Sequence, residues 1–142
     1  MSSRPTTGLH VPSQVAVGAL VGMAILKIMM LAALFTRTPP HPPTALAPLF
    51  GASLALSALC VALIYVGSRW FLAPAALVVF ESLLSYGPQK LYPGESAFFA
   101  QTAAVYPVIF VGSALILILC ANGWTLFAAL GAPSEEKGYR VP

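Results

Sequence analysis

Two long stretches of this chain carry no charge: there is no Asp, Glu, Lys or Arg from Thr38 to Ser68, and none from Ser96 to Ser134. A soluble domain has no means of hiding that much apolar surface. A bilayer core about 30 Å thick takes about 20 helical residues per crossing, so the apolar runs divide into spans by length and by breakers. The division predicts an all-α fold, an integral membrane four-helix transmembrane bundle with spans over about 15–35, 45–67, 70–86 and 97–121.

The first span runs from about Val15 to Phe35, entered through Pro12 and Ser13 and closed by Arg37 and the prolines at 39, 40, 42 and 43. Residues 45–86 are too many for one crossing, and Gly67, Ser68, Arg69 and Trp70 supply a polar turn near the midpoint, predicting a tight helical hairpin. Gly87 and Pro88 end the third span, and a polar loop through Lys90, Pro93 and Glu95 leads to the fourth. Asn122 and Gly123 read as the stop of that last helix. The segment 124–130 then either continues the helix or forms a short C-terminal interfacial helix. The chain thus reads as a single transmembrane domain over 1–142. Outside the spans lie an N-terminal polar segment (1–13), a Pro-rich loop (36–44), a polar loop (87–96) and a polar tail (131–142).

Aromatic residues should gather at the two interfaces if the spans are drawn correctly. Tyr65, Trp70, Phe71 and Trp124 fall on the side of the termini, and Phe35, Phe50, Tyr86, Tyr92, Phe98 and Phe99 on the other, with Trp70 and Trp124 as interfacial anchors. Arg4, Arg69, Lys137 and Arg140 on the terminal side outnumber Arg37 and Lys90 opposite, which by the positive-inside rule points both termini inward. The first apolar stretch is too long for a signal peptide and contains Lys27, so it reads as a retained span. A mitochondrial presequence is not expected, because Arg4 is the only strongly basic residue before Lys27.

Composition agrees with this reading, with 58% hydrophobic against 8% charged residues and a mean hydropathy of +0.86. The net charge of +3 is spread over the loops without a polybasic cluster, so neither a nucleic-acid partner nor a dedicated anionic-lipid site is expected. The expected partners are membrane lipids and other transmembrane subunits, in a bacterial inner membrane or an organelle inner membrane.

Small residues mark faces where helix backbones approach closely in lipid. In the second span Ala47, Gly51, Ala55, Ala58 and Ala62 recur at helical spacing and predict a face that meets another helix. Gly18 and Gly22 form a shorter GxxxG in the first span. Pro74 falls in a first turn, where proline is tolerated, whereas Pro107 is expected to bend the fourth span.

Two ionisable groups fall inside spans, and a charge at such depth requires a partner or a function. Lys27 lies 12 residues after Val15 and Glu81 lies 11 after Trp70, so both stand about 16–18 Å along helices that run the same way. They form a candidate intramembrane charge pair fixing how the first and third spans dock. The functional alternative makes Glu81 a proton or cation site, supported by Ser82 and Ser85, with Lys27 setting its charge state. A third option is pairing with a different subunit.

Other chemistry lacks parts. His10 and His41 lie outside the spans, which argues against axial ligation of haem or chlorophyll by histidine. Cys60 and Cys120 stand alone and read as packing residues. With no Asp in the chain, catalytic triads and paired-carboxylate or metal sites are not expected. The hexapeptide Val105-Tyr106-Pro107-Val108-Ile109-Phe110 resembles the Tyr-Pro opening of a span in the four-helix membrane glutathione transferases and eicosanoid enzymes. In that family the segment opens the second span and is accompanied by Arg, Asn and Glu residues. Here it opens the fourth without them, and the assignment is not made.

The expectation is therefore a non-enzymatic accessory or structural transmembrane subunit of a larger multi-subunit complex, such as a respiratory or photosynthetic energy-converting assembly. It would stabilise or bridge its neighbours. No intrinsic cofactor is expected, bound lipids are, and pigment or quinone contact stays open. The competing expectation is a small oligomeric transporter or channel built on Glu81 and Lys27, although the two halves show no convincing repeat.

Overall fold

The computed structural model describes residues 10–38, 44–91 and 105–131. These form four helices: α1 (His10–Thr36), α2 (Ala47–Val66), α3 (Leu72–Tyr86) and α4 (Val105–Gly131). Short 3₁₀ turns at Thr44–Leu46, Arg69–Phe71 and Pro88–Leu91 lead into α2, into α3 and out of α3. Counting these turns, all four are long and apolar enough to cross a membrane, with mean hydropathies of 2.3, 2.3, 1.4 and 2.2 in chain order. The third is the least apolar because it carries Glu81, Ser82 and Ser85 on one face. Its α-helical part is only 15 residues, about 22 Å, and the flanking 3₁₀ turns at about 2 Å per residue supply the remaining reach.

The helix ends follow from local chemistry. Gly67 ends α2 in the left-handed region at φ 72°. Its N–H donates to Ile64 O at 3.0 Å and that of Ser68 to Leu63 O at 2.9 Å, the paired bonds of a Schellman motif. The Ser68 hydroxyl then accepts from the Trp70 N–H and starts the next turn. The hairpin between the second and third helices is therefore as tight as the Gly-Ser-Arg-Trp sequence suggests. Arg37 closes α1 by the same device at φ 52°, with Thr38 N–H on Ala33 O at 3.0 Å.

Helices adjacent in sequence pack against each other and α4 returns against α1, so α1 stands diagonal to α3. The inward positions repeat at alternating steps of three and four. In α2 they are Phe50, Ser53, Ser57, Cys60 and Ile64. In α4 they are Val105, Ile109, Gly112, Ile116, Leu119, Gly123 and Leu126. This 3.5-residue period is that of knobs-into-holes packing in an antiparallel four-helix bundle.

Several sequence expectations are corrected. The helix α1 starts at His10, which places Pro12 and Ser13 inside its first turn, where the leading N–H groups have no intrahelical acceptor. Asn122 and Gly123 do not stop α4, which runs unbroken to Gly131, so no separate interfacial helix exists at 124–130. Gly123 keeps helical backbone: among the described glycines only Gly67 has a left-handed φ, and Gly87, which ends α3, is extended. Asn122 instead donates to Ile118 O of its own helix at 2.9 Å. Pro107 is the third residue of α4, a position that costs no intrahelical hydrogen bond and so gives no reason for a bend. The prolines at 39, 40, 42 and 43, most of the loop after Leu91 with Tyr92, Pro93, Glu95, Phe98 and Phe99, the start expected for the fourth span at 97, and the tail after Gly131 lie outside the described residues.

Candidate functional site

Lys27 of α1 lies one turn beyond Met23 on the inward stripe that also holds Ala16, Leu20 and Leu34. Its side chain is wholly buried and extends across the bundle axis to Glu81 of α3, itself only 6% exposed. The Nζ forms an ion pair with Glu81 Oε2 and donates a hydrogen bond to Ser53 Oγ of α2. One ammonium therefore ties three helices, including the diagonal pair that otherwise hardly touch.

The carboxylate is held from its other side as well. Ser85, one turn further along α3, donates from Oγ to Glu81 Oε1 at 2.6 Å. Oε2 has no hydrogen bond beyond its ion pair with Lys27 among the described residues. Ser57 Oγ donates back to Ser53 O at 2.8 Å, which satisfies its hydroxyl without reaching the pair. Ser82, on the neighbouring inward position, accepts from Tyr86 Oη at 3.0 Å and does not serve the carboxylate. Of the two serines singled out beside Glu81, Ser85 is its partner and Ser82 belongs to Tyr86.

Tyr86 is fully buried, and its ring lies against Gly112 of α4, where a Cβ would fall inside van der Waals distance of the ring carbons. Gly112 thus lets the aromatic ring enter the interhelical space beside the ion pair. The polar layer comprises Lys27, Ser53, Glu81 and Ser85, with Ser82, Tyr86 and Gly112 packed next to it. An apolar surrounding leaves an unpaired charge there very costly, so the pair is stable only with all three helices in one register.

Ser53, Ser57 and Gly112 escaped the sequence reading, and Tyr86, expected as an interfacial aromatic, is buried instead. The available signal was the three-four spacing of Ser53, Ser57 and Cys60, the most polar stripe on an otherwise uniformly apolar helix. The stripe chosen instead, Gly51, Ala55, Ala58 and Ala62, is turned outward, with Ala47 half-buried at its end. Among the described residues that face meets no other helix, and a Cβ added at Gly51 would touch nothing within 4 Å. The physical reason is competition for the interior: the hydroxyls of α2 need protein partners more than its methyl groups do. The GxxxG pair also separates, because Gly22 packs on Leu115 of α4, 3.0 Å from an added Cβ, whereas Gly18 is exposed. Of the two tryptophans, Trp70 is 79% and Trp124 65% exposed. Cys60 is buried and Cys120 exposed, and neither is in a disulfide. Among the described residues no group of three or more His, Cys, Asp or Glu converges on a common point.

Ser53→Ala is expected to destabilise the bundle by about 1.5–3 kcal/mol, the range for losing a hydrogen bond to a buried charge. Ser57→Ala is expected to cost under about 0.5 kcal/mol, since Ser53 O keeps its helical partner. Unfolding by SDS titration in mixed micelles would separate the two variants, and equal costs would contradict the arrangement.

Comparison with protein-family models, with curated proteins and with solved structures finds no match for this chain.

Proposed function

We propose that this protein is an accessory transmembrane subunit that stabilises or bridges neighbours in a larger membrane assembly. The observation that carries the reading is the division of labour between its faces. The interior uses its charged groups on each other, while the close-approach face of α2, Gly51, Ala55, Ala58 and Ala62, points outward. Small residues of that kind allow a helix from another subunit to approach closely in a medium where apolar burial contributes little. A transport reading would need Glu81 to exchange ions with water. A carboxylate only 6% exposed and bound by Lys27 and Ser85 is a poor candidate for that. On this reading the subunit has no catalytic role, and both termini lie on one side of a bacterial or organelle inner membrane.

The test is a variant with Gly51→Leu and Ala55→Leu, expressed in the source membrane and followed by native electrophoresis after gentle solubilisation. The wild-type chain is expected in a large complex and the variant is expected at the size of the isolated chain, with unchanged thermal stability once purified. Wild type and variant migrating alike would contradict this assignment of the face.

A further inference from the structure

On the membrane-facing side of the bundle, α3 and α4 diverge around a groove of about 410 Å³. It opens because Ala75 and Ala76 on α3 face Gly123 on α4, and larger apolar side chains such as Val79, Leu83 and Leu119 form its walls. On the α3 side the lining runs twelve steps from Phe71 to Leu83, about 18 Å, close to the roughly 15 Å depth of one leaflet's hydrocarbon. A groove of this length and volume matches one alkyl chain lying along it.

The end of the groove that faces the hairpin carries the complementary charge. Trp124 lines that end and its ring lies 6.0 Å from that of Phe127. The guanidinium carbon of Arg69 stands 4.4 Å above the Phe127 ring. Arg69 is exposed and lies two residues before Phe71, at the level where the chain turns between two spans. Its guanidinium packs on Phe127 and Gly131, just beyond the Trp124 end of the groove, and carries a positive charge at headgroup depth.

We propose that this groove is a binding site for one anionic glycerophospholipid, with an acyl chain between α3 and α4 and the phosphate on Arg69. Phe127 and Gly131 hold the guanidinium in place, and Arg69 stays exposed toward the phosphate oxygens. The site lies away from the outward face of α2, so one surface would take a lipid while another takes a subunit.

The test uses the full chain in nonionic detergent mixed with phosphatidylglycerol, read by native mass spectrometry at a collision energy that strips loosely held lipid. Wild type is expected to retain one phosphatidylglycerol per chain and not to retain diacylglycerol, which lacks the phosphate. Arg69→Gln is expected to lower retention by about tenfold, the scale of a lost charge-assisted hydrogen bond. Ala76→Trp, which fills the groove from an exposed position, is expected to lower it to a similar degree. Circular dichroism of both variants should show unchanged helicity, as both sites are on the surface. Retention unaffected by either variant would place the lipid elsewhere and overturn the proposal. Loss with Arg69→Gln alone would reduce it to a headgroup contact, and loss with Ala76→Trp alone, or equal retention of diacylglycerol, would remove the phosphate from it. Each of these outcomes overturns the site as stated.

Discussion

Glu81→Leu is expected to destabilise the bundle by about 3–5 kcal/mol, because it leaves the Lys27 ammonium buried without its counter-ion. Lys27→Leu should do the same from the other side, since Glu81 then keeps only the Ser85 hydrogen bond. The double variant Lys27→Leu with Glu81→Leu removes both charges, and its stability is expected to return to within about 1–2 kcal/mol of wild type, because apolar replacement of a buried pair is often neutral. The coupling between the two sites should thus be large and favourable. A cycle measured by SDS unfolding in mixed micelles reports it directly. If the two single costs simply add in the double variant, the groups do not share one interaction. A retained charge pair in such an apolar setting selects one register among alternatives that packing alone would tolerate, and the double variant should show this as broadened cross-helix distance distributions between spin labels on α1 and α3.

Gly112→Ala should produce the second large effect. The added methyl overlaps the edge of the Tyr86 ring, which is fully buried and hemmed in, so a cost of about 1–3 kcal/mol is expected from overpacking. The interpretation can be checked by changing the partner. With Tyr86→Ala in place, the same Gly112→Ala change should become neutral or stabilising, since alanine is favoured over glycine in a helix by about 1 kcal/mol. Tyr86→Phe serves as the control, losing only the hydrogen bond to Ser82 at about 0.5–1.5 kcal/mol. Thermal unfolding in detergent micelles is sufficient for all four proteins. An equal cost for Gly112→Ala with tyrosine or alanine at 86 would contradict the contact.

What the sequence reveals and what it conceals in this protein have one physical origin. Spans are legible because crossing a bilayer demands length and freedom from charge, and the turn at Gly67 to Trp70 is legible because glycine, serine and an interfacial aromatic have few other uses there. Which face of each helix turns inward is much harder to read. Lipid tails and a leucine-rich interior are chemically alike, so the apolar residues carry no directional information. Only polar and very small residues carry it, and they can point either way. Ser53, Ser57 and Gly112 mark interior contacts, whereas Gly51 and Ala55 face outward. The depth argument for Lys27 and Glu81 uses geometry alone and places them at one level. The contributions of Ser53 and Tyr86 depend on side chains from other helices, which no single span reveals. At Gly123 the sequence pattern misleads, since a glycine after asparagine has the form of a helix stop. Here its missing side chain instead lies beside Phe71, 3.9 Å from an added Cβ.

We propose that Lys27 and Glu81 form a closed strut and not a conducting site. Ion flux through proteoliposomes containing the purified full chain tests this most directly, with wild type compared against Glu81→Gln and empty vesicles. Neither protein is expected to carry protons, sodium or potassium above the level of empty vesicles. A wild-type flux abolished by Glu81→Gln in a variant that still folds would instead make Glu81 a transport residue.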